Sequence, residues 1–191
     1  MQNDQILLCG DILCFSETWI KNDIVQEELK IPGYELQLNS IGEGKGIATY
    51  FKSEGNYQSI DVKNPTFQFT KLSSLEIDII NVYRSQSANN SNFLDELSTL
   101  INKDKTTIIC GDFNLCLVKE KLNIVTKSIL EYGFSQLVTM ATHIKGGHIN
   151  HVYSNHDSKL FEVDVMMHSP YYTSHDHDAL FITVKRCPDL K

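Results

Sequence analysis

The sequence predicts a mixed α/β sandwich, on three observations. Short apolar runs of strand character recur along the whole chain, two segments between them have helical spacing, and the order is strands, helix, strand, helix, strands. At 191 residues, with 41% hydrophobic and 21% charged side chains, the chain has the size and composition of one domain able to bury a core. No internal repeat, low-complexity tract or linker divides it, so residues 1–191 are expected to form a single unit.

Each element has its own signal. LLCGDILCFSETWI is a continuous apolar run that puts a buried strand at Ile12–Phe15, with Glu17 at its exit. A carboxylate there caps the next segment, pairs with a lysine or does chemistry. IPGYELQLNS turns at Pro32-Gly33 and then alternates, and GEGKGIATYFK gives a glycine-rich turn into a strand at Ile47–Phe51. Gly42, Gly44 and Gly46 do not make a phosphate loop, because no Gly-Lys-Ser/Thr and no helix follow them. LEIDIINVYR, Leu75 to Arg84, alternates as a half-buried strand ending in Tyr83 and Arg84. A tyrosine at such a place is either an amphipathic edge residue or a hydrogen-bond donor to a ligand.

Phe93, Leu94, Leu97, Leu100 and Ile101 fall at helical spacing and predict a helix over Asn92–Asn102, capped by Ser91 or Asn92, with Asp95 and Glu96 in its first turn. That helix leads back to the central strand, Thr107–Cys110, which stops at Gly111 and presents Asp112, Phe113 and Asn114. The alternative for GDFN is an Asx-type turn. A second helix, about Ile124 to Tyr132, starts after Asn123 and stops at Gly133. The last third is strand-rich, at His151–Ser154, Phe161–Met167 and Ala179–Val184.

Charge and composition set limits on function. Seventeen basic against 24 acidic residues give a formal charge of −7, the wrong sign for a protein that grips nucleic acid mainly through phosphates. A polyanion must then be met locally, by a divalent metal or by a basic neighbouring domain. No window approaches the roughly 20 apolar residues of a membrane span. The first residues lack the basic start and apolar run of a secretory signal. Five cysteines, odd in number and without a C-x-x-C pair, read as reduced, packed thiols of an intracellular protein, nucleus or cytoplasm undecided. All seven histidines lie between His143 and His177. Zinc is not expected: H-x-x-H at a strand start, His148 and His151, puts the rings on opposite faces, and no third ligand has a known spacing.

Taken together, SETW (Ser16 to Trp19), NVYR (Asn81 to Arg84), GDFN (Gly111 to Asn114), GHINHVYS (Gly147 to Ser154) and SHDHD (Ser174 to Asp178) form an ordered set of strand exits. In this order and at these intervals they resemble the endonuclease/exonuclease/phosphatase superfamily, most closely the endonuclease-like domains of mobile elements of Helitron and non-LTR retrotransposon type. The resemblance spans about Asp11 to Val184. It implies a four-layered α/β sandwich of two mixed sheets with the site at one rim, and metal-assisted phosphodiester hydrolysis. By the same resemblance, Glu17 would hold Mg²⁺, with Mn²⁺ as a substitute. His177 would contact the scissile phosphate and serve as acid or base, with Asp176 as the carboxylate beside it. Asp112 would position or deprotonate the attacking water, Asn114 would orient the phosphate, and Tyr83 would donate to a phosphate oxygen. DNA is the implied substrate, with a helicase or replicase domain fused or associated and no membrane partner.

Two departures from the pattern stand out. The family's first strand, with an N-x-R-S motif beside the metal site, is not expected here, so the domain reads as N-terminally truncated. Asn150 stands where the family usually has the aspartate that orients the catalytic histidine, an exchange that implies weakened turnover. An inert remnant that binds nucleic acid or protein is the alternative, and a nucleotide or phosphoinositide phosphatase a further one.

Overall fold

The computed structural model describes residues 9–20, 26–40, 45–119, 123–157, 161–168 and 176–187. Residues 1–8, the glycine-rich turn at 41–44, and Ser174 and His175 of the SHDHD motif lie outside them. The strands are β1 (Ile12–Ser16), β2 (Tyr34–Asn39), β3 (Ile47–Lys52), β4 (Gln58–Asn64), β5 (Phe67–Ser73), β6 (Ile77–Arg84), β7 (Thr106–Asp112), β8 (Ser135–Gln136), β9 (Asn150–Ser154), β10 (Phe161–His168) and β11 (Ala179–Arg186). Helices α1 (Asn90–Leu100) and α2 (Ile124–Glu131) flank β7 in sequence.

The core sheet has six strands in the order β4-β5-β6-β7-β9-β8. Among the described residues only β6 and β7 run parallel, because α1 carries the chain back across the sheet between them. Their C-terminal ends therefore leave the sheet at one rim, and antiparallel β9 begins there. Alternation divides the side chains. Ile80, Val82, Ile109 and Tyr153 point to the helices, where they meet Phe93, Leu97, Val125 and Ile129 in the main core. Each of these fully buried apolar side chains contributes about 1.5–3 kcal/mol. The opposite face carries Ile108, Cys110 and Val152, which pack on Val163, Val165, Leu180, Ile182 and Val184 of β10 and β11.

The expected α/β sandwich of sheets is present. Among the described residues its second layer consists of two antiparallel pieces, β1-β3-β2 and β10-β11. Asn81 Nδ2 donates to Thr49 Oγ1 at 2.9 Å, and Asn39 Nδ2 to the Phe69 carbonyl at 2.8 Å, so buried amides register the three-stranded piece on the core sheet.

Helix α1 starts two residues earlier than its apolar spacing suggests. Asn89 is its cap, its side chain accepting from the Asn92 amide at 3.0 Å, so Ser91 and Asn92 lie inside the first turn. Asn123 caps α2 and Gly133 ends it at φ +90°, as read from the sequence. Three strands carry no signal used above: β4 is largely exposed, β5 is buried along nearly its whole length, and β8 is only two residues long. Leu75, read as strand, is 96% exposed and precedes β6.

Candidate active site

The site is assembled at the rim where β6 and β7 leave the core sheet. Strand register sets Tyr83 beside Asp112 and Asp112 beside Asn150, so three of the sequence-selected residues form a row on the face opposite the helices. Strand β7 reaches that row because position 111 is glycine. Gly111 has φ +139°, and a Cβ there would lie 2.0 Å from the Val82 carbonyl oxygen of β6. A side chain would push β6 and β7 apart and break the row.

The chain leaves β1 and β7 through strained residues. Glu17 and Asn114 both sit at φ +50°, where side chains other than glycine cost on the order of 1 kcal/mol. Both border Asp112, Glu17 through the cluster of possible metal ligands and Asn114 through hydrogen bonds. The Asn114 amide donates to Asp112 Oδ1 at 2.9 Å, and its Nδ2 donates to Asp112 Oδ2 at 3.1 Å and to the Arg84 carbonyl at 2.9 Å. Asn114 was expected to orient the phosphate. Here its backbone and side-chain donors meet Asp112 and the Arg84 carbonyl.

Arg84, the partner of Tyr83 in NVYR, points the other way and is 3% exposed. It donates to the carbonyls of Ser85, Phe113 and Ala88 and to Asn90 Oδ1, tying the β6 exit to the start of α1.

Electrostatics follow from burial and crowding. Burial pushes Asp112 up to about 7, the Asn114 amide pulls it down, and the nearby charges of Glu17 and Asp176 push it up again. Tyr83 is raised by burial and then by Glu17 and Asp112, which keeps its O–H intact at neutral pH. His177 Nδ1 lies 3.2 Å from Asn150 Oδ1, so it carries the proton and Nε2 is left with its lone pair. Burial lowers His177, with Asp176 acting in the opposite direction.

One ligand atom each from Glu17, Asp112 and His177 lie within 4.8 Å of one another. The two carboxylates, with Asp176 adding to the negative field at Asp112, suit a hard divalent cation by oxygen-donor chemistry. A cation would relieve the crowding that raises Asp112. The residues therefore fit the metal that the sequence pattern implies.

The histidine-rich third resolves into two groups. The expectation that the rings of His148 and His151 lie on opposite faces is corrected: His148 precedes β9, and the rings meet edge to face at 5.3 Å. His151 is stacked on Phe113 at 4.7 Å, with Nδ1 against the Tyr153 hydroxyl and Nε2 against the Leu115 carbonyl, so both its nitrogens are engaged in the core. The second group is His143, Asp176 and His177. His143 was not singled out from the sequence, and only the crowding of histidines after position 142 pointed to it.

No protein-family model matches the sequence, and no curated protein matches it. Solved structures do. An endonuclease/exonuclease/phosphatase family protein from Leptotrichia buccalis superposes with a TM-score of 0.63 at 13% identity, over 93% of this chain and 88% of that one. An AP endonuclease from Archaeoglobus fulgidus gives 0.66 at 18% identity, over 92% and 89%. The 3′ phosphatase NExo from Neisseria, bound to a product DNA hairpin, gives 0.69 at 15% identity, over 96% and 92%. The chain thus has the α/β sandwich fold of the endonuclease/exonuclease/phosphatase proteins.

Proposed function

We propose that this chain hydrolyses phosphodiester bonds in DNA with a divalent cation, Mg²⁺ first and Mn²⁺ as its substitute, as an endonuclease-type domain derived from a mobile element. The observation that carries the reading is the convergence of Glu17, Asp112 and His177 within 4.8 Å at the strand rim that also holds Tyr83 and Asn150. The mobile-element origin, with a fused or associated helicase or replicase, rests on the ordered strand-exit motifs.

Glu17 and Asp112 would supply the anionic donors, with Asp176 adding to the negative field, and a bound cation would offset charge on the phosphate and the leaving oxygen. Asp112, held by both nitrogens of Asn114, takes the proton of the attacking water. Tyr83 donates its O–H to a phosphate oxygen. His177, oriented through Nδ1 by Asn150, faces the phosphate with Nε2. Asn150 accepts that bond without charge, which favours a slow enzyme.

Glu17→Gln keeps the shape and removes one anionic ligand. Calorimetric titration is expected to show Mg²⁺ binding to the parent chain and binding at least tenfold weaker in this variant, the scale of a lost ligand charge. Identical titrations would remove Glu17 from the metal site.

A further inference from the structure

The turn from Thr142 to Gly147 is built against the residues that carry His177. The amides of Thr142 and His143 both donate to the Gly147 carbonyl, at 2.9 and 3.0 Å, and Gly146 donates to the His143 carbonyl at 2.8 Å. Thr142, fully buried, accepts from the amides of Ile149 and Asn150 through Oγ1, at 3.2 and 3.0 Å, which fixes the turn to the start of β9. Across from it, Ile144 donates to the Asp176 carbonyl at 2.9 Å and Asp178 to the Thr142 carbonyl at 3.0 Å. His143 and His177 are thereby bridge partners, with their rings edge to face at 4.9 Å.

This backbone determines which nitrogen of His143 carries the proton. Its Nδ1 accepts from the Lys145 amide at 3.0 Å, so the neutral ring is protonated on Nε2. Nε2 lies 3.3 Å from Asp176 Oδ2. The other oxygen, Oδ1, is 3.7 Å from His177 Nε2. The His143 side chain is 13% exposed and that of Asp176 65%, so a nearly buried donor holds a carboxylate that would otherwise move freely among rotamers in solvent. The same tautomer argues against His143 as a metal ligand through Nε2. A lone pair there requires a proton on Nδ1, which would face the Lys145 N–H.

We propose that His143 is a positioning residue, donating its Nε2 proton to Asp176 and holding that carboxylate beside His177, which borders the cation site of Glu17 and Asp112. The inference rests on the metal-site reading above and extends it to a residue one step removed. Outer hydrogen bonds of this kind are worth about 10–100-fold in metal affinity.

Two substitutions separate donation from packing. His143→Phe keeps a ring beside His177 and removes the donor, while His143→Gln removes the ring and keeps an N–H near the position of Nε2. Mg²⁺ affinity by calorimetry, and the Mg²⁺ concentration giving half-maximal plasmid nicking, are measured for the parent and both variants, with folding checked by circular dichroism. The expected result is Mg²⁺ affinity about tenfold weaker in His143→Phe and close to the parent in His143→Gln, with nicking by the Phe variant recovering at high Mg²⁺. The reverse order, or equal affinities in all three, overturns the proposal while leaving the metal site intact. A parent chain that binds no Mg²⁺ overturns both readings.

Discussion

Replacing Asn150 by aspartate is expected to raise Mg²⁺-dependent cleavage by about 10²–10⁴-fold, the range spanned by general acid–base assistance and by the same exchange beside the histidine of serine proteases. The geometry for the gain is already in place. Asn150 Oδ1 accepts from His177 Nδ1 at 3.2 Å, and the Asn150 amide is anchored to Thr142 Oγ1 at 3.0 Å. Aspartate differs from asparagine here only in charge and in the loss of two N–H donors. Burial lowers His177 and so disfavours its protonated form. A carboxylate at Nδ1 would reverse that and stabilise the charged ring as the phosphate is cleaved. The check is the nicking rate of Asn150→Asp against the parent chain, each also carrying His177→Ala. A gain that survives in the His177→Ala background would mean that position 150 acts on something other than His177.

The second large effect concerns stability in chelator, where two buried groups oppose each other. Asp112 is raised to about 7 in the folded chain from an ordinary 3.8, by burial first. The folded state thus favours its protonated form, and the associated stability is complete below pH 4 and lost as pH rises to about 7. His151 is lowered to about 3 from 6.5, again by burial first. Its contribution is complete above pH 6.5 and lost as pH falls toward 3. Each shift of about three units corresponds to roughly 4 kcal/mol, so between pH 4 and 6.5 the two slopes largely cancel. Asp112→Asn removes one of them and keeps an acceptor for the Asn114 amide. Urea midpoints of this variant are expected to fall steeply from pH 6.5 to 4, while those of the parent change much less. Parallel pH profiles would show that Asp112 is not held protonated by its surroundings.

How much of this was legible in the sequence depends on what each residue answers to. Strands β7 and β9 and helix α2 were readable because local signals coincide: an apolar run closed by Gly111, and a cap at Asn123 with a stop at Gly133. The start of α1 was misplaced because Asn89, Asn90 and Asn92 are all plausible caps, and only the backbone turning at Asn89 selects one. Strand β5 is buried on both faces, so Phe67 to Leu72 lacks the alternation that marks a half-buried strand. At the site, ordered motifs supplied Glu17, Tyr83, Asp112, Asn150, Asp176 and His177. Their convergence required the parallel pairing of β6 with β7, which no local pattern encodes. The contacts of Asn114 were hidden for a related reason: its Nδ2 reaches both Asp112 and the Arg84 carbonyl, thirty residues away in sequence. His143 was invisible because its importance lies in a bridge to His177 formed by two loops.

Metal-dependent cleavage by this rim of the sheet is tested most directly by nicking of supercoiled plasmid with the purified chain. Open circles are expected to form slowly with Mg²⁺ and not with chelator, and to disappear in His177→Ala. Nicking that persists in chelator or in His177→Ala, or its absence from both the folded parent and Asn150→Asp, would contradict the account.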